Sequence, residues 1–169
     1  MQAFSRPSIL ALAVSALLGS PVLAQTLPDA IAAANETVVV RLHAEGAQVY
    51  ECKTNQSGQL AWSFREPIAT LLDGDKTVGH HYAGPSWELA DGSIVQAKAA
   101  GRAPGSTPHD IPLLKLEVTA RKGSGQLTDV TTIQRINTRG GVAEGACPGA
   151  GAMMSAPYEA DYVFLKKAP

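Results

Sequence analysis

The stretch GHHYAGPSWELADGS, residues 79–93, reads as strand, turn, strand and turn in fifteen residues. Gly84-Pro85 punctuates the chain after His80, His81 and Tyr82; Pro presets φ and Gly accepts the positive values that tight turns need. Asp91-Gly92 is the dipeptide of two-residue hairpin loops with both central residues at positive φ. Trp87 to Ala90 lies between the two turns, too short for a helix. Two back-to-back hairpins predict an antiparallel sheet. The same stretch crowds together two histidines, two aromatics and two carboxylates, so it is also the densest candidate for a site.

Working outward, the pattern stays at period two. Thr37 to His43 is β-branched and apolar, and Gln48 to Cys52 follows Gly46, read as a turn. Leu60, Trp62 and Phe64 alternate with Ala61, Ser63 and Arg65, which predicts one strongly apolar face. Lys76 to Tyr82, Trp87 to Ala90 and Ser93 to Ala99 follow. Leu114, Leu116 and Val118 alternate with Lys115, Glu117 and Thr119. Val130 to Asn137 and Tyr158 to Phe164 complete the set, with long loops over Gly101–Pro112 and Gly140–Ala156. Only Pro28 to Asn35 reads as helical, with proline in the first turn, Asp29 at the positive end and Asn35 as cap. The fold class is therefore all-β: a single-domain antiparallel sandwich or barrel of roughly eight strands, with a short N-terminal helix. No fixed repeat suggests a propeller or solenoid.

Residues 1–24 read as a signal peptide. Arg6 is their only charge, Ile9 to Leu18 is apolar but too short to span a bilayer, and Val22-Leu23-Ala24 supplies a small residue for cleavage before Gln25. Residues 25–169 form one β-rich domain on this reading, without a transmembrane segment, in the periplasm or secreted. With Arg6 removed, 13 basic residues face 15 acidic ones, so the charge gives no footprint for nucleic acid. Cys52 and Cys147 are the only cysteines; in an oxidising compartment, and without CxxC spacing, they are expected to bridge.

The chemistry-bearing residues form no complete set. His43, His80, His81 and His109 show no HxH or HExxH spacing, and adjacent strand residues point to opposite faces, so no metal site is expected. There is no GxSxG, P-loop, dinucleotide fingerprint or CxxCH, so no cofactor is implied. The candidates for acid–base work are His81, Glu88, Asp91 and Arg135. Asp91 has a sufficient turn role, and Trp87 with Leu89 fits a core. Tyr82 and Trp87 are the candidates for lining a ligand pocket.

Val49-Tyr50-Glu51-Cys52, Trp62 to Phe64 with Pro67, and Val78-Gly79 through His81-Tyr82-Ala83-Gly84-Pro85 carry a resemblance to a family. It continues through Trp87-Glu88, Asp91-Gly92-Ser93, Ile111-Pro112, Ile133-Gln134-Arg135, Asn137-Thr138, Gly140-Gly141, Cys147 and Tyr158 to Phe164. Over about Gly46 to Phe164 the chain resembles the exported bacterial and fungal proteins known as domain of unknown function 3455. That resemblance implies a secreted β-rich domain and carries over no activity. It matches His81 to the family's single histidine before the Gly-Pro turn and leaves His80 outside the pattern.

The leading expectation is an exported β-domain that binds a small molecule or envelope component. The alternatives are a small exported enzyme using His81 with Glu88 or Asp91, and a cell-envelope structural or interaction protein, which would expose an apolar patch.

Overall fold

The computed structural model describes residues 27–169; the signal peptide expected over residues 1–24 lies outside them. Eight strands follow one another: β1 (Glu36–Thr54), β2 (Leu60–Asp73), β3 (Lys76–Tyr82), β4 (Ser86–Leu89), β5 (Ile94–Ala103), β6 (Leu113–Lys122), β7 (Thr132–Gly140) and β8 (Met153–Lys167). All pair antiparallel, each with the next in the chain. β8 also pairs with β1, from Glu36↔Lys167 to Glu51↔Met153, so the sheet closes into a barrel. Closure satisfies the backbone groups that an open sheet leaves at its two edges.

Alternation decides what enters the barrel. Leu42, Ala44, Leu71, Trp87, Leu89, Val95, Leu116, Ile133, Tyr158, Ala160, Tyr162 and Phe164 form one buried cluster. Leu127 and Val130, in the loop between β6 and β7, are fully buried in the same cluster and fill one end of the barrel. A second, smaller cluster joins Ile31 to Ala103, Ile136, Val163 and Leu165. Ile136 follows Arg135 and Val163 follows Tyr162, so this cluster lies on the outer face, covered by the N-terminal segment.

Four expectations need correction. The helix over Pro28–Asn35 does not form: a single 3₁₀ turn spans Asp29–Ile31, Pro28 makes no side-chain cap, and Ala32 is already extended. So short a segment gains little from its own hydrogen bonds, and burying Ile31 against the barrel sets its path instead. Gly46 is no turn, for β1 runs unbroken over 19 residues. A Cβ there would sit 2.1 Å from the Ile68 carbonyl oxygen, so Gly46 lets β1 approach β2 closely where the sheet coils. The apolar face expected on Leu60, Trp62 and Phe64 is not core: Leu60 and Phe64 are 44% and 53% exposed. The register shift between Val49 and Tyr50 leaves Arg65 as an extra residue, and Phe64 lies beyond it toward the open end. Finally, Asp91-Gly92 is not a two-residue turn. Leu89 N–H donates to the Ser93 carbonyl and Gly92 N–H to that of Leu89, with only Gly92 of the loop at positive φ (86°). That is a three-residue loop with a glycine bulge.

Cys52 and Cys147 are bonded, with Cα atoms 5.6 Å apart, across 95 residues of chain. Cys52 N–H also donates to Ala152 O at 2.8 Å and Gly151 N–H to Cys52 O at 2.9 Å. The bridge thus pins the glycine-rich segment before β8 onto the end of β1. Replacing both cysteines by alanine should lower the free energy of unfolding by about 2–5 kcal/mol in urea denaturation. Gly46→Val should cost about 1–3 kcal/mol in the same assay, because the added atoms meet backbone rather than a flexible side chain.

Candidate ligand-binding cavity

The end of the barrel opposite Leu127 and Val130 is not filled. A cavity of about 850 Å³ opens there, and every strand contributes to its lining: Tyr50 from β1, Pro67 from β2, His81 from β3, Trp87 from β4, Ala99 from β5, Leu116 from β6, Arg135 from β7 and Tyr162 from β8. Small residues make the space. Ala99, Ala100 and Gly101 line it on β5, where a larger wall would close an eight-stranded barrel. Phe64 stands at its mouth, its ring edge-on to Tyr50 at 5.8 Å. The Tyr50 hydroxyl donates to the Gly141 carbonyl at 2.7 Å, which ties the wall to the segment held by the disulfide.

His81 sits deep in this wall, only 3% exposed. Its ring stacks on Trp87 with centroids 4.3 Å apart, and Tyr162 meets it edge-on at 4.9 Å. Nδ1 lies 2.8 Å from the Ser86 carbonyl. A carbonyl only accepts, so Nδ1 carries the proton and Nε2 is the acceptor nitrogen. Burial pushes the pKa down to about 3; the Ser86 carbonyl opposes the shift, and the Arg135 charge adds to it. The imidazole is neutral at physiological pH. Burial likewise raises the pKa of Tyr158 and Tyr162, whose hydroxyls lie 3.4 Å apart inside the barrel.

The sheet separates the remaining candidates. His81 pairs with Trp87 and His80 with Glu88, so Glu88 and His81 stand on opposite faces of adjacent strands. Glu88 instead accepts a hydrogen bond from the Tyr82 hydroxyl at 2.9 Å. That places Tyr82 outside the cavity and Trp87 inside it. Asp91 accepts from Ser93 N–H at 2.9 Å, from the Ser93 hydroxyl at 2.6 Å and from Gln126 N–H at 2.7 Å. These bonds, that from Gln126 foremost, hold its carboxyl below the usual range and fasten the β4–β5 loop to the β6–β7 loop. Of the four acid–base candidates, only His81 and Arg135 share the cavity.

The neighbours on that lining were not legible as a site. Gln48 and Tyr50 on β1, Leu114 on β6 and Tyr162 on β8 lie far apart in sequence, and only their inward parity on alternating strands links them. No group of His, Cys, Asp and Glu among the described residues has metal-holding geometry.

A family model described as a protein of unknown function (DUF3455) matches residues 32–77 and 73–166. The chain belongs to this family. No curated protein and no solved structure matches it. The DUF3455 match spans all eight strands, from β1 nearly to the end of β8, and thus every cavity-lining residue.

His81 gives a pH test. In the unfolded chain it takes up a proton near pH 6.5, whereas the folded protein refuses it until about pH 3. Stability from this group is complete above pH 6.5 and is lost as pH falls through that window. Between pH 7 and pH 4 the loss should be about 3 kcal/mol. Urea denaturation at the two pH values, compared between wild type and His81→Gln, should show a shallower pH dependence in the variant.

Proposed function

We propose that this protein is exported to the periplasm or beyond and binds one small, largely apolar molecule inside its barrel. The observation that carries the reading is the 850 Å³ cavity, lined from all eight strands and open at one end. Its size falls within the range of small-molecule sites, and its wall combines apolar surface with a few convergent polar groups, as such sites do. Eight strands are the number at which a barrel either fills with side chains or holds one small ligand. The apolar leader pattern in residues 1–24 and the Cys52–Cys147 bridge support an oxidising compartment outside the cytoplasm. Residues 25–169 act as one ligand-binding domain on this reading. The acid–base alternative draws no support from the geometry, since His81 is held neutral and faces away from Glu88.

The test is binding of a neutral apolar fluorophore, N-phenyl-1-naphthylamine, to the purified mature protein. Wild type should bind one equivalent, with energy transfer from Trp87 in the cavity wall. Leu114→Trp, which places a large ring at the lining, should abolish binding while near-ultraviolet circular dichroism stays native. Absence of binding by wild type, or undiminished binding by the variant, would overturn the reading.

A further inference from the structure

The cavity has a one-sided charge. Arg65, Arg102 and Arg135 line it and no Asp or Glu does, although the whole chain holds 15 acidic residues against 14 basic ones. Arg65 is paired with Glu66 at 3.2 Å, and Arg102 is exposed. Arg135 is different. It is half-buried and takes part in none of the ion pairs among the described residues.

Its position is held from both sides. Leu114 on β6 and Tyr162 on β8 are its direct cross-strand partners, and both line the cavity with it. Nε and Nη2 donate to the Pro112 carbonyl at 3.0 and 2.9 Å, which fixes the plane of the guanidinium. A guanidinium has five N–H donors. Pro112 takes two and the neighbouring Tyr162 hydroxyl also engages the guanidinium; at least two N–H groups are left, the number that the two oxygens of a carboxylate need.

We propose that Arg135 anchors the carboxylate of an amphiphilic monocarboxylic acid, whose apolar body lies against Trp87, Ile111, Leu114 and Leu116. This deepens, and rests on, the reading of the barrel as a small-molecule site. Arg135 is the one guanidinium of the lining that is both half-buried and without an ion-pair partner among the described residues, and it matches a single negative charge. A pairing away from bulk water gains more than one at the surface, and leaving that charge unpaired in an apolar wall is costly. Arg65 and Arg102 at the lining add an attractive field for an entering anion.

Decanoate and 1-decanol share a tail and differ in the headgroup, so titrating both by calorimetry separates the two levels of the claim. Wild type should bind decanoate at least about tenfold more tightly than decanol, the factor expected for hydrogen bonds to a charged partner. In Arg135→Gln the ratio should fall to about one. Equal affinities in wild type, or a preference that survives in Arg135→Gln, would sink the anchor while leaving the small-molecule site intact. Binding of neither probe, together with no binding of the neutral fluorophore, would sink the site itself. If circular dichroism shows that Arg135→Gln does not fold, Arg135→Lys replaces it. Lysine keeps the charge but not the fork, so the ratio should drop yet stay above one; an unchanged ratio would overturn the bidentate anchor.

Discussion

Everything in this molecule depends on β1 making two sets of backbone hydrogen bonds at once. From His43 to Glu51 β1 pairs with β2 on one side and β8 on the other; before that stretch it pairs with β8 alone and after it with β2 alone. The chain thereby brings its first and last strands together and converts a meander into a closed ring. Closure fixes the strand number at eight, and the strand number fixes the width of the interior. The cavity is a consequence of that width together with small side chains on β5. The same pairing explains Gly46, which lies opposite Ala69 on β2 and Tyr158 on β8 and has no room for a Cβ.

Inside the ring the two ends are treated differently. At one end the β6–β7 loop folds Leu127 and Val130 into the core, and Asp91 holds that loop through Gln126. At the other end lie alanine, glycine and proline, with the disulfide holding the adjacent segment down. The aromatic group of His81, Trp87, Tyr162 and Phe164 sits between them, ring against ring at 4.3 to 6.3 Å. Its lower side is core and its upper side is cavity floor. The low polarity of that floor is what keeps His81 neutral and strengthens any charge pairing made by Arg135.

The crowded stretch at residues 79–93 is resolved by parity. Residues 81, 87 and 89 point inward; residues 80, 82 and 88 point outward. What looks in sequence like a cluster of two histidines, a tyrosine and a carboxylate is divided by the thickness of a sheet. The one histidine that the family resemblance singled out is the inward one.

Alternation, turn residues and cysteine count were enough to determine an antiparallel all-β chain of about eight strands and a Cys52–Cys147 pairing. These are local or compositional properties, and they survive whatever the tertiary arrangement is. The expectation that Trp87 and Leu89 belong to the core also holds. Period two failed on Leu60 and Phe64 because alternation says which residues share a face, not whether that face is covered. It failed on Gly46 because a glycine in a strand and a glycine in a turn look alike until the neighbouring strand is known. The cavity was beyond reach for the same reason. Gln48, Arg135 and Tyr162 become neighbours only when β1, β7 and β8 are laid side by side, and the absence of a carboxylate near Arg135 is a property of that assembly. Strand identity is written along the chain; the inside of a barrel exists only once the ring is closed.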